Sequence, residues 1–326
     1  MRLVLYSTLF LGIACQPKEK IAFVEQVDPA LESIVSTQAS VEILEEGFQW
    51  SEGPLWVERE KMLLFSDVPK NTIYKWTEEK GLETYLMPSG YTVIIEGNGG
   101  EGSNGLLLNP KGELVICQHG DRRIVVMNAA LEKPQTTYLT LADHYKGSRL
   151  NSPNDATYHS NGDLYFTDPP YGFINDDEGP LKELPFNGVF RLKQTGELHL
   201  LADSLTRPNG IILLDDTTLL IANSDKMKAR WYAYTITADS IHSGRIFYDA
   251  TAEAQLENGL PDGMKISSKG IIYATGPGGV WIFDRSGKVL GKIKTTVASA
   301  NCALDTNEKN LYITASNYLL RIPLRK

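Results

Sequence analysis

The sequence predicts an all-β fold, a six-bladed β-propeller whose ring is closed by a strand from the N-terminal side. Three observations predict it. A polar residue, usually followed by Gly, recurs ahead of two apolar β-rich runs joined by a turn; the last copy stops one strand short of the others; and a β-prone stretch lies unpaired upstream of the first. The copies begin at Glu52 (EGPLWVEREKMLLFSD), Asn104 (NGLLLNPKGELVICQHG), Asn154 (NDATYHSNGDLYFTDPP), Asn209 (NGIILLDDTTLLIANSD), Asp262 (DGMKISSKGIIYATGP) and Asn301 (NCALDTNEKNLYITAS). Their spacings of 52, 50, 55, 53 and 39 residues suit propeller blades.

Within each unit, turn residues such as Asn109-Pro110-Lys111-Gly112, Ser160-Asn161-Gly162, Asp215-Asp216 and Ser268-Lys269-Gly270 separate two short strands, as hairpin chemistry requires. Thr72–Trp76, Arg123–Met127, Gly188–Leu192, Trp231–Tyr234 and Gly279–Phe283 supply third strands, and segments like Glu83–Leu86 supply fourths. The last unit has only Asn310–Thr314 and Tyr318–Ile322 after its first strand. Val41–Glu45 is therefore expected to pair with the chain's end and close the ring, which removes exposed edges. Residues 41–326 are read as one propeller domain, and no helical periodicity is sustained anywhere in it.

The N-terminal residues differ from the rest. Arg2 is the only charge before an apolar run from Leu3 to Ala14, which is too short to span a bilayer as a helix and reads as a secretory signal over 1–14. The following Cys15, then polar Gln16–Lys20, resembles a lipoprotein processing site with Cys15 as the lipidated first mature residue, although Gly12 departs from the usual branched residue; plain cleavage nearby is the alternative. Residues 15–40 are expected to form a tether, and the protein to be periplasmic or outer-membrane-anchored in a bacterium, touching membrane only through Cys15. Cys117 and Cys302 then remain, in units that are not neighbours, and are expected as two buried thiols. A net charge of -8 without a basic stripe speaks against nucleic acid as partner. A monomer acting on a small molecule is expected.

The first strand of a propeller blade lines the central channel, so residues at its start converge on one axis. Glu52, Asn154, Asn209 and Asp262 offer two carboxylates and two amide carbonyls, a hard-oxygen set suited to Ca2+. Asn-Gly and Asp-Gly also serve as hairpin turns, but here the pairs precede the first strand while the hairpin lies further along. Gly97–Gly102 matches a Gly-x-Gly-x-x-Gly pattern; a strand rather than a helix follows, so it reads as a loop near the channel entrance. No Gly-x-Ser-x-Gly elbow, His-Glu-x-x-His or P-loop is present.

Five short motifs in register, EGPLW, LNSPND, YFTDPPYG, RPNG and PDGM, resemble the family of senescence-marker proteins, gluconolactonases and related lactonases over residues 41–326. The resemblance implies a six-bladed propeller with a catalytic divalent metal, usually calcium, in its tunnel. By position, Glu52 matches the first metal ligand, Asn154 and Asn209 the amide ligands, and Asp262 the second carboxylate ligand. Asn104 and Asn301 hold the equivalent places in the other two blades, and the sequence does not rank them; Asn104 is taken as a substrate contact.

The implied activity is calcium-dependent lactone hydrolysis, in which a Lewis acid polarises the lactone carbonyl for attack by water. The resemblance further implies Asp262 as general base, with Asp168 or His119 assisting a metal-bound water as the alternative. His119 follows a second strand and is also readable as a structural histidine. Asp168-Pro169-Pro170-Tyr171-Gly172 would present Tyr171 to a sugar-like substrate or simply make a stiff turn. Arg149 would recognise an anionic or hydroxylated substrate, unless it is a surface residue. Two competing readings are an organophosphate or aryl-ester hydrolase on the same metal, and a non-catalytic surface propeller stabilised by calcium.

Overall fold

The computed structural model describes residues 21–93, 99–237 and 240–325. The expected leader 1–14, Cys15 and part of the Gly97–Gly102 stretch lie outside them. Four-stranded antiparallel sheets repeat six times around an axis. Blade 1 is Ser51–Val57, Met62–Asp67, Thr72–Thr77 and Gly81–Leu86; blade 2 is Ser103–Leu108, Leu114–Gln118, Arg123–Met127 and Tyr138–Ala142. Blade 3 is Ala156–Tyr158, Leu164–Asp168, Gly188–Leu192 and Leu198–Ala202; blade 4 is Pro208–Asp215, Thr218–Asp225, Lys228–Ile236 and Ile241–Asp249. Blade 5 is Met264–Ile266, Ile272–Gly276, Gly279–Phe283 and Val289–Thr295. Blade 6 takes Asn301–Leu304, Asn310–Ala315 and Tyr318–Pro323 from the end of the chain, and its outermost strand, Glu42–Glu46, from the beginning. The closing pair runs antiparallel from Glu42 opposite Arg321 to Glu46 opposite Tyr318.

The second strand of each blade is apolar on both faces because it lies between two neighbouring blades, and the two-residue period decides which neighbour each side chain meets. Met62 and Leu64 pack toward blade 2, whereas Leu63 and Phe65 pack toward blade 6. Leu114 and Ile116 likewise face blade 1, and Val115 and Cys117 face blade 3. Trp231 of blade 4 packs on Trp281 and Phe283 of blade 5, with ring centroids 5.8 and 5.5 Å apart. Cys117 and Cys302 are buried free thiols in separate interfaces, as their sequence positions predict.

Residues 21–40 depart from the expected tether. Ala22–Gln26 adds a fifth strand to the outer edge of blade 5, pairing with Val289–Thr295. A short 3-10 turn, Pro29–Ser33, follows, capped by the Asp28 carboxylate on the Ala30 N–H at 2.8 Å. Leu31 and Val35 are fully buried in the core between blades 5 and 6. The segment covers an edge that would otherwise present unpaired backbone. Its few apolar residues are spaced for one strand and one turn, too little for a visible period.

Candidate functional site

The six inner strands touch one another in a closed cycle, blade 1 to blade 6 and back to blade 1. This brings the repeated polar residues to one end of the axis. Three are pinned through their backbone by the adjacent blade: the Ser66 hydroxyl donates to the Asn104 carbonyl at 2.8 Å, the Gly105 N–H to the Asn154 carbonyl at 2.8 Å, and the Thr167 hydroxyl to the Asn209 carbonyl at 2.7 Å. The Gly after the polar residue answers to close approach rather than to a hairpin turn. A Cβ on Gly53 (φ +52°) would lie 2.1 Å from the Asn104 carbonyl oxygen, and one on Gly263 would lie 1.9 Å from Cγ of Asn301. Only a residue without a side chain lets neighbouring inner strands come this near.

Glu52, Asn104, Asn154, Asn209 and Asp262 line a cavity of about 470 Å³, walled also by Trp50, Glu101, His119, Tyr171 and Ser224. Its size is that of a small-molecule site. Glu52 accepts from its neighbour's Gly53 N–H at 2.8 Å and from the Asn301 amide at 3.4 Å. The Asn209 amide nitrogen donates to Ser224 Oγ at 3.0 Å, which leaves Asn209 Oδ1 without a partner. Ser224 in turn donates to the Pro261 carbonyl, beside Asp262. Buried Asn104 Oδ1 and Asp262 Oδ1 are also unpartnered, as are both ring nitrogens of His119, whose Nδ1 lies 3.6 Å from a Glu101 carboxylate oxygen.

The electrostatics are those of a buried, carboxylate-rich site. Burial, and then the nearby Asp155 charge, push the Glu52 carboxyl up to about 7. Burial and repulsion from Glu52 and Asp155 hold the Asp262 carboxyl well above the usual range. Burial likewise raises Asp155, against which Lys265 and the Ala156 and Ile211 N–H groups act. Buried carboxylates at this density are costly unless a cation or proton offsets them. Free amide and carboxylate oxygens aimed at the same space form the donor chemistry of a hard divalent cation, and the residues present fit one. Among the described residues no group of three or more His, Cys, Asp or Glu side chains is arranged to hold a metal. Here two of the four oxygens come from amides.

Of the residues singled out in the sequence, Asp168 and Arg149 do not join this cavity. Asp168 Oδ2 accepts from the Asn151 N–H at 2.7 Å, fixing the loop that leads to Asn154. Asp67 does the same for Gln49 and Trp50 ahead of Glu52, and Asn223 for Arg207 ahead of Asn209. A role repeated in three blades belongs to blade construction, and Asp168 holds that positioning place here. Arg149 donates to the Asp121 carbonyl at 2.7 Å, and its own N–H donates to Glu183, which uses it in loop packing. Sequence reasoning missed Asp155, which stands in the LNSPND motif beside Asn154, and Glu101, which lies within the glycine-rich stretch.

Burial pushes the Asp168 carboxyl up to about 7, against the pull of the Asn151 N–H and Lys182. The native state therefore binds this proton more tightly than the unfolded chain, whose ordinary value is 3.8, and stability falls as pH rises from about 4 to about 7. Asp168→Asn, which keeps an acceptor for Asn151, is expected to reduce that slope in urea titrations across this window while turnover at the axial site stays within about twofold. Loss of turnover with an unchanged slope would return Asp168 to the chemistry.

A family model described as the SMP-30/Gluconolactonase/LRE-like region matches residues 50–317. The chain belongs to this family. It is 36% identical over 310 residues to a gluconolactonase of Zymomonas mobilis subsp. mobilis, covering 93% of this chain and 86% of that protein. Among solved structures, a gluconolactonase from Xanthomonas campestris superposes with a TM-score of 0.79 at 28% identity, covering 93% of this chain and 94% of that one. The calcium-binding protein regucalcin of Agrobacterium tumefaciens strain C58 has a TM-score of 0.68 at 15% identity, covering 88% and 95%, and at that identity shares the fold. Family membership and the axial geometry agree: the matched region contains every residue from Glu52 to Asn301 that converges on the cavity.

Proposed function

We propose that the protein is a gluconolactonase-like hydrolase that opens a sugar-derived lactone, with a divalent cation, calcium, held by Glu52, Asn154, Asn209 and Asp262. The observation that carries this is the convergence of two buried carboxylates and unpartnered amide oxygens in one cavity of a chain 36% identical to a gluconolactonase. When bound, the cation would supply Lewis-acid polarisation of the lactone carbonyl and offset the carboxylate charge.

The chain's own residues do the rest. Asp262, whose carboxylate lines the cavity, accepts a proton from the attacking water as the new C–O bond forms. The ring C–O bond then breaks, and the proton passes to the departing ring oxygen, giving the open hydroxy acid. His119 has two nitrogens free for substrate and lies beside Glu101, so it is placed to bind a ring hydroxyl or relay that proton. Tyr171, with its phenol pushed well above its usual range by burial and by Asp262, stays neutral and donates a hydrogen bond. Trp50 supplies an aromatic wall against the sugar.

Hydrolysis of glucono-1,5-lactone, a homoserine lactone and paraoxon, each with and without EDTA, tests the reading. Expected is turnover of the sugar lactone that chelation reduces to background and calcium restores, together with a fall in Tm on chelation, since a cation at 100 times its Kd stabilises by about 2.7 kcal/mol. Full turnover in EDTA would remove the metal from the proposal, and paraoxon as the preferred substrate would replace the lactone.

A further inference from the structure

We propose that the face bearing the cavity mouth rests on a lipid bilayer, held there by an acylated Cys15, so that the site opens toward the membrane surface. The two observations behind it are independent. The first is where the chain leaves the propeller. Ala22 pairs with Thr295, at the end of the outer strand of blade 5, and the Thr296 N–H donates to the Ile21 carbonyl at 3.0 Å. The connection that starts there runs directly to Ala298 and Ser299 in the cavity wall. Ile21 thus exits at the mouth face, and from Cys15 to Ile21 there are six residue steps, a reach of at most about 20 Å.

The second observation is which side chains stand free on that face. The four most exposed large apolar residues among those described are Leu256 at 86%, Met227 at 72%, Met87 at 66% and Val93 at 62%. All four lie on connections at the mouth. Leu256 precedes Gly259 and Leu260 of the cavity wall, Met227 follows Ser224, and Met87 and Val93 lie on the connection that ends at Glu101. Turns on the opposite face are polar, including Asn109–Gly112, Ser160–Gly162 and Ser268–Gly270. Other apolar side chains, such as Val27 and Leu139, are exposed elsewhere, but the four most exposed all lie at one end, and such a concentration marks an interaction face. The expected anchor decides its occupant: Cys15 stands six residues before Ile21, and an acyl group on it would bring a bilayer within about 20 Å of this end. One or two acyl chains give the affinity, and the tips set the orientation.

The test uses the chain expressed from Met1 in a bacterium, purified in detergent and reconstituted into phosphatidylethanolamine–phosphatidylglycerol vesicles. Met227→Cys and, on the opposite face, Lys111→Cys are labelled separately with a fluorophore; Cys117 and Cys302 are buried and stay unlabelled. Doxyl-labelled lipid is expected to quench the label at 227 several-fold more than the label at 111, and Leu256→Ser with Met87→Ser to narrow the difference. Equal or reversed quenching, a vesicle-bound protein with neither label quenched, or a chain that carries no lipid and stays in the soluble fraction would each overturn the proposal. Lactone turnover in detergent is independent of all these outcomes, so failure here leaves the proposed reaction standing.

Discussion

Asp262→Asn is expected to fold, to keep its Tm within a few degrees, and to lose about 10²–10⁴-fold in kcat for glucono-1,5-lactone, the range for removal of a general base. The amide preserves shape and still presents an oxygen, so the loss reflects the missing proton acceptor and the missing charge. Because repulsion from Glu52 helps raise the proton affinity of Asp262, taking the charge from Glu52 relaxes Asp262. Glu52→Gln should therefore also lower turnover, and the double variant should lose less than the product of the two single losses, since contacting sites are not additive. Kinetics of the three variants against calcium concentration, with circular dichroism as the check on folding, decide it. Wild-type turnover in both single variants would dissolve the axial site.

Gly53→Ala has the largest expected effect on stability. The added Cβ would meet the Asn104 carbonyl oxygen at 2.1 Å, an atom of the neighbouring backbone that the Ser66 hydroxyl already holds. The residue also sits at φ +52°, where an L side chain costs about 1–2 kcal/mol, and forced overpacking typically adds about 1–3 kcal/mol. A loss of roughly 2–5 kcal/mol in urea unfolding follows, and because the clash pushes Glu52 away from Asn104, apparent calcium affinity should weaken with it. Gly112→Ala is the control: its Cβ would meet nothing within 4 Å, so only the cost of its positive φ applies. An unchanged unfolding midpoint for Gly53→Ala would show that the inner strands are not packed as described.

Much of the architecture was legible because a propeller repeats its chemistry. The hairpin turns, the third strands and the closing strand near 41–45 announced themselves as one pattern in several copies, and the polar residue at each copy's start was visible for the same reason. The positioning role of Asp168 was not legible because its equivalents, Asp67 and Asn223, differ in local sequence, and only hydrogen bonding to Gln49, Asn151 and Arg207 exposes the shared role. The place of Arg149 was hidden in the same way: it is close in sequence to Asn154 but turned to the Asp121 carbonyl. The strand Ala22–Gln26 went unread because its partner, Val289–Thr295, lies at the far end of the chain.

The amino-acid sequence by itself determined the six units, the order in which they close, the oxygen chemistry of Glu52, Asn154, Asn209 and Asp262, and the family to which the chain belongs. These are local or periodic properties, written in short stretches that need no knowledge of their neighbours. Only the tertiary structure decided that Asp155 shares the axial charge, that Ser224 turns Asn209, that His119 reaches the cavity with both nitrogens free, and that Gly53 exists for the strand beside it. Except for the pair Ser224 and Asn209, which share a blade, these depend on the distance between blades fifty or more residues apart in sequence, and such distances are set by packing the whole ring.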